Sequence, residues 1–387
     1  MIIQPANRTG SVKEYYFSTK NREIAAMNAD GRKEAVINLG IGSPNGRPPQ
    51  AAIDALCATA VRDGVHAYQP YVGIPELRKA FADWYARWYG VKLNPSSEIQ
   101  PLTGSKEGIL ITSLAFLNKG DKVLVPDPGY PTYSSSARLC EAEIVTYDLE
   151  ESLGWQPDFA KLEAMDLSGV KMMWTNYPNM PTGAPADPEL YRRLVEFGRK
   201  HGILICNDNP YSFILSKEHY SILAVPGAKE CCLELNSLSK AHNMAGWRIG
   251  MVAASADVIY EILKVKSQLD SGMFRALQIA AVEALAQGPE WFASLNEEYT
   301  RRRVAAGRIF DALEVRYNPD SQGLFLWGRV PEGVSPVELS DKLLYEAGVF
   351  ITPGFIFGKN GENYLRISLC ATVEVFERAL EKIKSVI

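Results

Sequence analysis

VKMMWTNYPNMPTGAPADPELYRRLVEFGRKHGILICND (170–208) reads as strand, helix, strand. Its two ends, VKMMWT (170–175) and GILICN (202–207), are short and nearly all apolar, as in strands buried on both faces. Between them Asp187 is placed to cap a helix, Pro188 suits its first turn, and Gly202 lies just past its end. Similar β-rich runs recur at KVLVP (122–126), CCLELN (231–236) and RIGMVAA (248–254). Upstream, Leu77, Phe81, Trp84, Tyr85 and Trp88 fall on one stripe of a helix. This alternation predicts an α/β domain, with a mostly parallel central sheet and helices on both faces.

Beyond about Pro289 the order changes. A long helix to about Leu313 is followed by a helix near 335–346 and a short strand near 349–351. The strand YLRISL (364–369) and an amphipathic helix from Thr372 complete a smaller α+β domain. The first 45 residues contain no complete unit and are expected to pack on it. The expected division is 46–285 for the large domain and 1–45 with 286–387 for the small one, with a cleft between them.

Composition narrows the chemistry. The 387 residues are 47% hydrophobic and 22% charged, which excludes a disordered chain. Lys plus Arg number 41 against 45 Asp plus Glu, with no block of like charge, so neither nucleic acid nor a membrane surface is expected as partner. Six Cys and four His show no zinc spacing, so no metal is expected. The start, MIIQPANRTGSVKEYY, lacks a signal-peptide pattern, and no apolar run approaches a membrane span of ~18–20 residues. A cytoplasmic location is expected.

In NSLSKAHNMAGWRIG (236–250), Lys240 follows an apolar strand, flanked by Ser237 and Ser239 and eight residues before Arg248. A lysine at the carboxyl edge of such a sheet sits where open α/β folds bind ligands. Partly desolvated there, it can form a Schiff base, while the hydroxyls and guanidinium suit a phosphate. A solvated lysine in a surface turn fits the same short pattern. In HGILICNDNPYSF (201–213), Asp208 ends a strand and Tyr211 follows three residues on. Such an Asp can cap a turn or hold a cationic ring nitrogen. In PLTGSKEGILITSLAFL (101–117), the amides of Ser105 and Lys106 open a helix and could cradle a phosphate, although Thr103 or Ser105 could simply cap it. LGIGSPNG (39–46) lacks the third glycine of a dinucleotide fingerprint, which disfavours a nicotinamide enzyme.

Together these segments resemble the class I/II aminotransferases, fold-type-I enzymes that use pyridoxal 5'-phosphate, from about Tyr15 to Arg366. The resemblance implies that Lys240 holds the cofactor and moves a proton between substrate and cofactor carbons. It implies that Asp208 pairs with the ring nitrogen, and that Tyr211 donates to the phenolic oxygen. Ser105, Lys106, Ser237 and Arg248 would form the phosphate cup, and Tyr130 of DPGYPTY (127–133) would stack on the ring. Tyr68 of HAYQPYVGIPELR (66–78) would reach the phosphate of a neighbouring subunit, implying a homodimer with a shared active site. Arg366 would grip the substrate carboxylate near Gly42.

One position departs from the family pattern. In NYPNMPTG (176–183), Met180 replaces the family's asparagine that donates to the cofactor's phenolic oxygen, so Asn176 or Asn179 would have to reach in, with Asn176, at the strand end, the candidate donor. The implied activity is ping-pong transfer of an amino group from an L-amino acid to a 2-oxo acid. Aspartate or a small neutral amino acid is the expected donor, and Arg275 is a candidate for binding a side-chain carboxylate. A carbon–sulfur β-lyase and a non-catalytic aminotransferase-like sensor are the alternatives.

Overall fold

The computed structural model describes residues 2–30 and 34–387; Met1 and positions 31–33 of the segment expected on the small domain lie outside the described residues. The large sheet has strands β1 (Ile99–Leu102), β2 (Lys122–Asp127), β3 (Glu143–Asp148), β4 (Val170–Thr175), β5 (Leu204–Asp208), β6 (Cys232–Ser237) and β7 (Gly250–Ala253). Their order is β1-β7-β6-β5-β4-β2-β3. Strands β2 to β6 pair in parallel, whereas β7 runs antiparallel to both β1 and β6.

Burial on both sides explains the apolar runs. Along β4, Met173 faces one core with Ile205 and Leu194, while Met172 and Trp174 face the other with Leu233 and Ile109. This is the two-residue alternation of a strand covered on each face. The crossover helix Pro188–His201 starts where Asp187 accepts from the Glu189 amide at 2.7 Å and ends at Gly202, with φ +65°. Such a cap contributes about 1 kcal/mol.

The smaller sheet has β8 (Arg316–Tyr317), β9 (Phe325–Arg329), β10 (Thr352–Pro353) and β11 (Tyr364–Ser368), in the order β10-β11-β9-β8. Ile309 and Phe310 of the helix Pro289–Ala312, and Phe376 and Ile383 of Val373–Lys384, share a core with Leu326, Leu365 and Ile367. The two-residue strand Ile37–Asn38 pairs in parallel with Val349–Phe350 on this side. Asn7–Ser11 lies elsewhere: Ser11 Oγ is 3.4 Å from the Arg138 carbonyl, on the helix Pro131–Leu139 that leads from β2. The opening residues therefore span the two units and do not pack on the smaller one alone. Asp127, at the end of β2, ties the units further by accepting from the Lys359 and Asn360 amides, each at 3.0 Å.

Candidate active site

A cavity of about 300 Å³ opens at the carboxyl ends of β5 and β6, with the small sheet as its opposite wall. It brings together Gly42, Ser105, Lys106, Tyr130, Asn176, Asp208, Tyr211, Ser237, Lys240, Arg248 and Arg366. The sheet accounts for two of these directly, since Asp208 is the last residue of β5 and Ser237 the last of β6. Lys240 follows three residues later, and its ammonium donates to the Gly42 carbonyl. Burial pushes the Lys240 ammonium below the ordinary lysine range, and Arg366 and Arg248 add to this against an opposing effect from Cys370. A depressed lysine pKa increases the neutral, nucleophilic fraction.

Asp208 Oδ2 accepts from the Tyr133 hydroxyl at 3.0 Å. Oδ1 is buried and has no hydrogen-bond partner among the described residues. Burial raises the carboxyl from its ordinary 3.8 to about 7, despite the Tyr133 hydrogen bond and the charge of Lys240. An orphaned buried acceptor with this raised pKa suits a protonated ring nitrogen, which would satisfy Oδ1 and restore the ionised form.

Asp208 also carries a stability cost. With its folded pKa raised, the native state holds a proton that the unfolded chain releases. Its contribution to stability is therefore lost as pH rises from about 4 to about 7. In protein without cofactor, Asp208→Asn is expected to be roughly 2–4 kcal/mol more stable than wild type at pH 8, a difference that shrinks toward pH 4. The same variant should bind pyridoxal phosphate at least about tenfold more weakly. Thermal melts against pH and a cofactor titration check both expectations.

A second corner is built for an anion. Ser105 opens the helix Ser105–Phe116, which directs unpaired amides outward from its first turn. Gly104 precedes it at φ +82°, a backbone conformation that favours glycine, and a Cβ there would displace the end of the Arg248 side chain. Arg248 is braced by the Ala245 carbonyl at 2.8 Å, and Ser237 Oγ meets Ser239 Oγ at 2.8 Å. Backbone amides, hydroxyls and a guanidinium form a phosphate-type donor set.

Arg366 forms the third corner, on β11. Its NH2 donates to the Gly40 carbonyl at 2.6 Å, and its NH1 lies 3.4 Å from Met180 Sδ. Its Nε is buried without a partner among the described residues. The guanidinium carbon stacks 4.0 Å from the Phe325 ring centre and 4.6 Å from that of Phe357. Burial lowers its pKa to about 10, so it stays charged at neutral pH. A held, desolvated guanidinium with a spare donor is suited to a carboxylate. Gly42 keeps this wall close, because a Cβ there would lie 2.4 Å from the Phe325 ring.

One sequence expectation changes. Asn176 is not a free ring donor: its Nδ2 donates to the Asp208 carbonyl at 2.5 Å, and its Oδ1 accepts from the Met180 amide at 2.7 Å. It clamps two backbone segments. Arg275 does not line the cavity of its own chain, where it pairs with Glu76 at 3.3 Å. Tyr68 is 90% exposed and lies outside the cavity of its own chain. Conversely, Tyr133, Tyr15, Phe17 and Phe325 line the cavity without having been singled out. Tyr133 lay within DPGYPTY, two positions inside the helix that Tyr130 precedes, whereas nothing local marks Phe325, which reaches the site only through sheet pairing.

A lysine, a carboxylate with one unpartnered oxygen and a phosphate-type donor set around one cavity fit pyridoxal phosphate. Residues 34–383 match the family model for aminotransferase class I and II, and the chain belongs to this family. It is a pyridoxal phosphate-dependent transaminase. The chain is 39% identical over 380 residues to an LL-diaminopimelate aminotransferase of Dehalococcoides mccartyi, covering 98% of this chain and 97% of that one. The substrate-bound BacF structure from Bacillus subtilis superposes with a TM-score of 0.94 at 33% identity, covering 100% of this chain and 98% of that one. A single mutant of Thermus thermophilus aspartate aminotransferase superposes with a TM-score of 0.91 at 27% identity, over the whole of both chains. Among the described residues no helix is long and apolar enough to cross a membrane, and no His, Cys, Asp and Glu cluster could hold a metal ion.

Proposed function

We propose that this transaminase takes its amino group from an L-amino acid bearing a second carboxylate, with LL-diaminopimelate and aspartate the leading candidates, and passes it to a 2-oxo acid. The observation that carries the site assignment is the convergence of Lys240, the orphaned Asp208 Oδ1 and the orphaned Arg366 Nε on one cavity. Two features support the donor class. Lys106 stands in the cavity wall over the Tyr15 ring, 4.4 Å from its centre, and makes no ion pair among the described residues. The named activity of the Dehalococcoides relative points to the same class.

Pyridoxal phosphate, when bound, draws electrons from the substrate's α-carbon and carries the amino group between the two half-reactions. The protein supplies position and proton movement. Arg366 receives the α-carboxylate, Lys240 moves the proton at the α-carbon, and Asp208 keeps the ring nitrogen protonated. The backbone amides of Ser105 and Lys106, with Ser237 and Arg248, hold the phosphate, while Tyr130 and Tyr211 face the ring. Stopped-flow absorbance of the loaded enzyme with a panel of amino acids tests the reading. LL-diaminopimelate or aspartate should discharge the cofactor fastest, without any oxo acid present. Pyruvate and ammonia released without an acceptor would indicate a β-lyase instead.

The working form is a cytoplasmic homodimer in this reading. Tyr68 is 90% exposed, with Tyr71 at 45% and Phe274 at 37%, an aromatic surface that a second copy would cover. If Tyr68 serves the partner's site, the inactive Lys240→Ala chain and a weakened Tyr68→Ala chain complement each other. After mixing and exchange, about a quarter of the sites should be intact. Activity no greater than the sum of the separate variants would exclude a shared site.

A further inference from the structure

Met180 is 5% exposed and lines the cavity, and its Sδ accepts from Arg366 NH1 at 3.4 Å. A thioether is a weak acceptor, so an arriving carboxylate displaces it at little cost. The other guanidinium donors are differently placed, with NH2 held by the Gly40 carbonyl and Nε left without a partner among the described residues. The freedom of Arg366 therefore depends on how strongly the atom at Met180 Sδ accepts.

We propose that Met180 is a modification site, at which oxidation to the sulfoxide closes the carboxylate end of the cavity, an effect that rests on Arg366 receiving the substrate carboxylate. The step is an oxygen-atom transfer from a peroxide. The O–O bond breaks, an S–O bond forms, sulfur is oxidised by two electrons, and hydrogen peroxide leaves as water. The new oxygen is a strong, dipolar acceptor beside a cation that Phe325 and Phe357 shield from water. Nearby amides are already engaged: the Met180 amide donates to Asn176 Oδ1 at 2.7 Å, and Asn179 Nδ2 donates to the Asn176 carbonyl at 3.1 Å. The sulfoxide oxygen is thus directed to Arg366, where it competes with substrate as a tethered acceptor.

The test treats the pyridoxal phosphate-loaded enzyme with limiting hydrogen peroxide. Succinate and 3-phenylpropionate, carboxylates without an amino group, are then titrated by calorimetry, and the Met180 peptide is examined for one added oxygen. Wild type should lose at least about tenfold in affinity for both probes and regain it with methionine sulfoxide reductase. Met27, Met165 and Met273 are partly exposed and will also oxidise, so Met180→Leu supplies the background. Its affinity should be the same before and after peroxide.

Equal losses in wild type and Met180→Leu would overturn the proposal. So would unchanged binding once Met180 is oxidised, or a Met180 that stays reduced while Met27, Met165 and Met273 are converted. Arg366→Gln is titrated untreated as a separate control. If it binds both probes as tightly as wild type, the assignment of Arg366 as the carboxylate site fails, independently of Met180.

Discussion

Lys240→Ala is expected to lower kcat by about four orders of magnitude while leaving the fold and the phosphate corner in place. On the proposed roles of Lys240 two losses combine in this variant: the nucleophile that would hold the cofactor, and the base that would move the α-proton, the latter alone contributing up to about 10⁴-fold. Lys106, the other lysine in the cavity wall, opens the helix Ser105–Phe116 with Ser105 and sits over the Tyr15 ring. It is not placed to substitute. The fold should survive because the Lys240 ammonium donates to the Gly42 carbonyl, and burial already disfavours its charge. Single-turnover kinetics and a thermal melt check the expectation. A kcat within about tenfold of wild type would remove Lys240 from the chemistry.

Arg366→Gln should act on substrate binding more than on folding. Truncating one partner of a buried, hydrogen-bonded charge pair costs about 2–5 kcal/mol, or roughly 30- to several-thousandfold in KM. Without substrate, this guanidinium is a buried charge whose contacts are the Gly40 carbonyl, the Met180 sulfur and aromatic rings, with no carboxylate paired to it among the described residues. Removing it therefore relieves desolvation in the free enzyme, and the melting temperature should hold or rise. A higher KM at unchanged melting temperature is the expected signature, measured by steady-state kinetics and calorimetry. A variant that unfolds with unchanged KM would make Arg366 a structural residue.

The legible parts of this fold were those whose pattern is local. Strands β2, β4, β5 and β6 announce themselves as apolar runs because both faces are covered, and Asp187 and Gly202 punctuate the helix between β4 and β5. Strands β1 and β3 did not. Ile99–Leu102 is four residues long and contains Pro101, and Glu143–Asp148 is an edge strand with an exposed face. Strand β9 is not marked locally, because its place is set by pairing with β11, with Phe325 opposite Ser368. The site follows the same division. Lys240, Asp208 and Ser105 lie just where strands end or a helix begins, so their motifs could be read along the chain. Tyr133's hydrogen bond to Asp208 and Phe325's stacking on Arg366 join distant segments, and local spacing does not encode them. Asn176 shows the converse: its position marked it for the site, but its side chain is spent on the backbone.

The most direct test is to load the protein with pyridoxal phosphate, reduce it with borohydride, digest it and locate the modified lysine by mass spectrometry. The predicted result is a single pyridoxyl label on Lys240, absent from Lys240→Ala. A label on Lys106 or any other lysine, or a loaded protein with no reducible link, would contradict the assignment of Lys240.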